Sequence, residues 1–201
     1  KSNKSSGSTG QPFQVFYNRS VYQHEYAYWW YHRASYGVSP GDKVATFAGH
    51  KVTFIDRQKA PFWVYNQFEN QLLFSSYHMT KANLAAYVKE LNKFQPVLLH
   101  GYPSSIFLIA KYILENNVTM SFFPKMIVTA SESLLDFQAE TIKKAFQRAP
   151  VDWYGNTELC GHATQCPEGR IHAQTTHSIF RVVDEEGHDV ALGEEGTIIA
   201  T

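Results

Sequence analysis

Residues 97–128 read VLLHGYPSSIFLIAKYILENNVTMSFFPKMIV, and this stretch decides the fold class. Val97-Leu-Leu99 and Lys125-Met-Ile-Val128 are short apolar runs, which is typical of strands buried on both faces of a sheet. Between the two runs, Pro103 stands at the first position of a predicted helix, where its missing N–H costs nothing. The apolar stripe of that helix comprises Ile106, Ile109, Ala110 and Ile113. The stretch therefore predicts a strand, a helix and another strand.

The same alternation extends in both directions along the chain. Predicted strands occupy 43–47, 71–75 and 151–154, and further helices are predicted from Thr80 as N-cap and over about 136–147. This order predicts an α/β fold, with a doubly wound, mostly parallel sheet and helices on both faces. After Gly155 the pattern changes to short strands joined by glycine-containing turns, which predicts a β-rich C-terminal segment.

Composition restricts the function classes. The 201 residues include 18 Lys plus Arg and 18 Asp plus Glu, so no global field favours nucleic acid or an anionic membrane as partner. The apolar run 106–114 is interrupted by Lys111 and falls short of the roughly 18 residues that span a bilayer. Two cysteines, Cys160 and Cys166, are too few for a disulfide framework, so we expect a cytoplasmic protein.

A loop rich in serine and glycine precedes the first predicted strand. It reads Ser5-Ser6-Gly7-Ser8-Thr9-Gly10, followed by Gln11-Pro12. Its hydroxyls and backbone N–H groups are suited to wrapping phosphate oxygens. It is not a Walker A loop, because no Lys-Ser/Thr follows the last glycine. Considered alone, the loop is equally well explained as a flexible linker.

A second segment, Tyr154-Gly155-Asn156-Thr157-Glu158, directly follows a predicted strand, where open α/β sheets place ligands. A serine- and glycine-rich loop ending in Gly-x-Pro, followed much later by Tyr-Gly-x-Thr-Glu, resembles the signature pair of the adenylate-forming superfamily of acyl- and aryl-CoA ligases, peptide-synthetase adenylation domains and luciferases. The intervening sequence is similar to the phenylacetate-CoA ligase-like group, and within it to the CapK-type branch of capsular polysaccharide biosynthesis. The phrases that carry this similarity are Phe74-Ser-Ser-Tyr-His78, Gly101-Tyr-Pro-Ser-Ser105, Thr129-Ala-Ser-Glu-Ser-Leu134, and Cys166 with Gly169-Arg-Ile-His172.

The resemblance implies roles for individual residues. Tyr154 would stack on adenine beside Gly155, Thr157 would hydrogen-bond the α-phosphate, and Glu158 would hold Mg²⁺. Ser5, Ser6, Gly7, Ser8, Thr9 and Gly10 would cradle the β- and γ-phosphates. Glu132 is either a nucleotide contact or a solvated surface residue. His78 is either a core histidine or, as in relatives, a residue facing the acyl site.

The implied reaction activates a carboxylic acid with MgATP as an acyl-adenylate and passes the acyl group to coenzyme A. Alternatives from other classes are transfer to a sugar, amine or carrier protein in surface-polysaccharide biosynthesis, and a non-catalytic nucleotide-binding module. Relatives add a ribose-binding segment and a small lid domain, so we expect residues 1–155 to be the truncated ATP-binding core and 156–201 the glutamate-motif loop with the start of a β-rich subdomain. Residues 1–201 alone would bind nucleotide without turnover.

Two further features have competing explanations. Cys160, His162, Cys166 and His172 are of residue types that suit tetrahedral zinc, although two buried cysteines with incidental histidines explain the same pattern. The segment Tyr22 to Tyr36 is dense in aromatic residues and is interpreted as a buried helix with a structural role.

Overall fold

The computed structural model describes residues 2–4, for their backbone only, and residues 13–201. The chain divides into two compact units: one comprises Arg33–Asp152, and the other comprises Lys1–His32 with Trp153–Thr201. In chain order the elements are β1 (Ser2–Lys4), β2 (Gln14–Phe16), α1 (Arg19–Ser35), β3 (Val44–Ala48), β4 (Trp63–Asn66), β5 (Gln71–Ser75), a 3-10 turn (Ser76–His78), α2 (Leu84–Phe94), β6 (Leu98–Gly101), α3 (Pro103–Glu115), β7 (Met126–Ala130), α4 (Asp136–Phe146), β8 (Val151–Gly155), β9 (His162–Gln165), β10 (Ile171–Ala173), β11 (Phe180–Val183) and β12 (Thr197–Ala200).

The unit Arg33–Asp152 is built on a sheet in the order β7-β6-β3-β5-β4, parallel except for β4 at its edge. One face carries aligned apolar side chains, as in the row in which Leu72, Ala45, Leu99 and Ile127 are neighbours. These side chains share a core cluster with residues of α2, α3 and α4. Thr46, Leu98 and Met126 on the alternate positions are buried as well, so both faces of these strands are covered.

The direction in which strands are added to the sheet reverses between β3 and β6. From β3 the chain passes to β5 on one side, and then crosses to β6 and β7 on the other. The two strands approach closely at their carboxyl ends, where the Tyr102 N–H donates to the Phe47 carbonyl over 2.9 Å. A Cβ on Gly101 would lie 2.2 Å from that same oxygen. This is the kind of switch point at which open α/β sheets bind ligands.

The other unit contains antiparallel strands. β1 pairs with β2, β11 pairs with β12, and β9 lies between β8 and β10. α1 belongs to this unit as far as His32, the helix's buried residue. Tyr26 and Tyr31 are more than half exposed, so the expectation of a buried helix is wrong: α1 is only partly covered.

The fold-class prediction is confirmed in its mixed α/β character, mostly parallel sheet and β-rich C-terminal segment. The predicted N-cap at Thr80 is wrong. Asn83 precedes α2, and the Thr80 carbonyl instead accepts from the backbone N–H groups of Asn83 and Leu84 in a preceding turn. Within the described residues, no helix is both long and apolar enough to cross a membrane.

Candidate functional site

The segment Tyr154–Glu158 forms an ordered loop at the carboxyl end of β8. The Asn156 side-chain oxygen accepts from the Cys160 backbone N–H over 3.2 Å, and the Thr157 carbonyl accepts from the Tyr17 hydroxyl. These bonds fix the loop backbone. Tyr154 is 47% exposed, and Glu158 is exposed, with no hydrogen bond or ion pair from its carboxylate to any described residue. The loop thus offers an aromatic face and an unengaged carboxylate to a ligand.

Glycine is required at position 155 because the side chain of His162, on the neighbouring strand, occupies the space that a Cβ would need. It pairs with His162 on β9, and a Cβ at position 155 would lie 2.9 Å from His162 Nδ1 and 3.2 Å from Trp153 Nε1. A side chain at this position would displace the buried imidazole. The glycine of the motif therefore has a packing reason in addition to any contact with nucleotide.

The predicted phosphate loop, Ser5 to Gly10, lies outside the described residues. Its role in binding phosphate stays a prediction. β1, which precedes it in the chain, pairs antiparallel with β2, which follows it.

His78 is held by hydrogen bonds on both sides of its ring. Its Nδ1 is 2.8 Å from the Ser75 hydroxyl, and its Nε2 is 3.1 Å from the Ile55 carbonyl. A carbonyl only accepts, so Nε2 carries the proton and Nδ1 accepts from Ser75. The ring is buried and stacks on Phe62. These contacts give His78 a structural role, and its catalytic role stays a prediction without geometric support.

Glu132 lies on the loop after β7 and is exposed. Its carboxylate accepts from the Ser104 backbone N–H over 3.2 Å, at the first turn of α3. A carboxylate at a helix N-terminus is favoured by the unpaired N–H groups there. Glu132 therefore ties the loop after β7 to the first turn of α3, and a nucleotide contact for it stays a prediction.

Sequence reasoning missed His100, on β6. Burial, the Arg33 guanidinium and His50 lower the pKa of His100 from 6.5 to about 3. The imidazole is therefore neutral in the folded protein at physiological pH. Its isolated position in the sequence carries no signal, because the cause of the shift lies in residues brought together by folding.

This shift predicts acid sensitivity. The unfolded chain binds a proton at His100 near pH 6.5, whereas the folded chain does so only near pH 3, so stability is full above pH 6.5 and falls as pH decreases toward 3. Between pH 6.5 and 4.5, we expect the free energy of unfolding to fall by about 1–2 kcal/mol less in His100→Gln than in the wild type. Urea unfolding at both pH values measures it. The exposed His188→Gln is the control, and identical pH dependence in His100→Gln and the wild type would contradict the prediction.

The four residues predicted to hold zinc do not come together. His162 is buried, Cys160 and Cys166 are half-buried, and His172 is exposed on β10. Among the described residues, the cluster with metal-ligating geometry is instead Glu25, His162 and His177. Only His162 was a candidate from the sequence. Glu25 and His177 gave no local signal, because they lie on α1 and on the turn after β10.

Comparison with known proteins identifies a relative. Protein CapK of Staphylococcus aureus is 36% identical to this chain over 182 residues, which is 90% of this chain and 40% of CapK. The chain is a CapK homologue. No family model matches it. The CapK homologue thus spans about two-fifths of the length of its curated relative.

Solved structures agree on the fold of the CapK homologue. An open conformation of 2-hydroxyisobutyryl-CoA ligase, in complex with 2-HIB-AMP and CoA, has a TM-score of 0.71 at 15% identity and covers 100% of this chain and 47% of that one. Anthranilate CoA ligase AuaEII, in complex with anthranoyl-AMP, has a TM-score of 0.64 at 19% identity and covers 99% and 38%. At these identities the likeness concerns the fold, which is that of the adenylate-forming CoA ligases.

Proposed function

We propose that the intact protein containing this chain activates a carboxylic acid with ATP and transfers the acyl group to coenzyme A. The observation that carries the proposal is the Tyr154–Glu158 loop, which presents an exposed ring and an unengaged carboxylate at a strand end in a CapK homologue. Mg²⁺ at phosphate-binding sites is usually held by one or two protein carboxylates, with phosphates and water as its remaining ligands. The unengaged Glu158 carboxylate fits this requirement. A solvent-facing tyrosine fits stacking on a base.

The chemistry balances in two steps. A carboxylate oxygen attacks the α-phosphorus of ATP, the bond to the bridging oxygen of the β-phosphate breaks, and pyrophosphate leaves. The coenzyme A thiolate then attacks the acyl carbon, and AMP leaves with the electron pair of the broken C–O bond. Support comes from 2-hydroxyisobutyryl-CoA ligase, whose structure contains both an acyl-adenylate and CoA.

In this proposal the chain's own residues bind and orient the nucleotide. Tyr154 stacks on adenine, Thr157 donates to the α-phosphate, and Glu158 holds Mg²⁺, which when bound neutralises phosphate charge. Residues 5–10 donate to the β- and γ-phosphates. Positioning and preorganised donors provide most of the catalysis in phosphoryl chemistry, so these groups matter more than any covalent participant.

The test is acid-dependent pyrophosphate release by the intact protein across a panel of aryl and fatty acids, followed by coenzyme A-dependent release of AMP. Pyrophosphate release that requires an acid supports adenylation, and AMP release on adding coenzyme A supports the acceptor. If AMP is released only with an amine, a sugar or a carrier protein, the acceptor in the proposal is wrong. The absence of pyrophosphate with every acid would refute the adenylation.

The phosphate loop has its own prediction. Replacing Ser8 and Thr9 with alanine removes two hydroxyl donors, and we expect the KM for ATP to rise at least about tenfold, since even one hydrogen bond to a charged group contributes a net of about 1.5–3 kcal/mol and about 1.4 kcal/mol corresponds to a factor of ten. Steady-state kinetics of pyrophosphate release measures it. Ser2→Ala, outside the loop, is the control. An unchanged KM in the double variant would instead support the linker interpretation.

A further inference from the structure

We propose that Glu25, His162 and His177 form a binding site for a first-row divalent metal ion, and that this ion is zinc in the native protein. The three residues come from α1, from the start of β9 and from the turn that follows β10. Their ligand atoms lie within 4.8 Å of one another. The site uses none of the residues proposed to bind Mg²⁺ or the nucleotide, and it does not depend on the adenylation activity.

Three ligand atoms face one another in this cluster. Glu25 Oε2 is 2.6 Å from His162 Nε2 and 3.4 Å from His177 Nε2. Tetrahedral zinc with bonds of about 2.0–2.1 Å separates neighbouring ligand atoms by roughly 3.3 Å. The His177 distance already matches that separation. The distance between Glu25 Oε2 and His162 Nε2 would increase by about 0.7 Å, which a small rotation of the Glu25 side chain accomplishes.

The cluster is buried, and three of its polar atoms lack a hydrogen-bond partner in the part of the chain that the structure describes. The side chains of His162, His177 and Glu25 are 2%, 4% and 14% exposed. Glu25 Oε2 and both ring nitrogens of His162 have no hydrogen-bond partner among the described residues, despite the short contact between Oε2 and Nε2. An unsatisfied buried polar atom costs about 1–3 kcal/mol. A cation bound by Glu25 Oε2 and His162 Nε2 removes that cost for these two atoms.

Surrounding contacts orient the ligands toward a common point. The Trp29 indole N–H donates to Glu25 Oε1 over 2.8 Å, which leaves Oε2 to face the two histidines. His177 Nδ1 is 3.3 Å from the Ser178 hydroxyl, so its Nε2 is the nitrogen that faces Oε2. Hydrogen bonds to the atoms of a ligand side chain that do not face the metal fix the carboxylate and the imidazole tautomer in metal sites.

Ligand chemistry selects the metal class. Two imidazole nitrogens and one carboxylate oxygen suit zinc and other first-row divalent ions, whereas Mg²⁺ and Ca²⁺ prefer oxygen ligands alone. Three protein ligands leave a fourth position for water or another small ligand. The ion would join α1 to β9, whose His162 packs against Gly155 of the Tyr154–Glu158 loop.

The test measures metal in the intact protein. After purification without chelator, incubation with Zn²⁺ and desalting, we expect about one equivalent of zinc in the wild type and less than a tenth in Glu25→Gln and His177→Gln. His172→Gln and Cys166→Ser are matched controls and should retain the metal. Circular dichroism confirms that each variant is folded. His177→Gln is a second variant in case Glu25→Gln fails to fold.

Cobalt substitution identifies the ligands. The Co²⁺ protein should show visible d–d bands without a thiolate-to-cobalt charge-transfer band, because no cysteine belongs to the site. Zinc below a tenth of an equivalent in the wild type would overturn the proposal. So would zinc that is lost in Cys166→Ser and retained in His177→Gln, since it would assign the metal to the cysteines.

Discussion

Glu158→Gln is expected to lower acid-dependent ATP–pyrophosphate exchange by about 100-fold or more while leaving the fold intact. The carboxylate is exposed and engages no described residue, so its replacement by the neutral isostere breaks no internal contact. The proposed loss comes from Mg²⁺, which a neutral amide binds far less well than a carboxylate. Removing one preorganised electrostatic group from a reaction centre typically costs about 10²–10³-fold in rate.

The matched control for this experiment is Glu185→Gln. Glu185 is another exposed glutamate, in the turn between β11 and β12. Both variants remove one negative charge, so a general effect of net charge would appear in both. Exchange at the wild-type rate in Glu158→Gln, or an equal loss in Glu185→Gln, would contradict a metal-binding role for Glu158. Circular dichroism and thermal melting verify that both variants retain the fold.

Gly101→Ala is expected to destabilise the protein by about 3–5 kcal/mol, among the largest effects of a single substitution. The added Cβ would lie 2.2 Å from the Phe47 carbonyl oxygen and 2.8 Å from the Phe47 Cβ. The clash is with backbone on the neighbouring strand, which cannot move without breaking the parallel ladder between β3 and β6. Overpacking of this kind is relieved only by shifting strands.

Gly37→Ala provides the comparison for Gly101→Ala. Gly37 has φ +72° and no atom lies within 4 Å of the position that an added Cβ would take, so alanine there suffers only the left-handed backbone cost of about 1–2 kcal/mol. Urea unfolding of both variants measures the difference. Equal destabilisation at the two positions would show that the approach of β3 to β6 is looser than these distances imply. Failure of Gly101→Ala to accumulate as folded protein, with Gly37→Ala folded, agrees with the prediction.

Several elements could be predicted because their signals are local. The apolar run 71–75 became β5 with those bounds, Pro103 became the first residue of α3, and α4 begins at Asp136. β4 could not be predicted in this way. Its residues Trp63, Val64 and Tyr65 are of types common in strands, but the run is short and partly exposed, so its conformation depends on pairing with β5.

The sequence by itself determined the α/β class and the position of the Tyr154–Glu158 loop after a strand, because periodicity and turn residues act over a few neighbouring residues. Only the tertiary structure decided what the histidines do. His78 is satisfied by Ser75 and the distant Ile55 carbonyl, whereas His162 meets Glu25 on a helix near the other end of the chain. The physical reason is that a pattern of apolar residues specifies which face is buried, while the partner of a buried polar atom depends on which remote segment packs there.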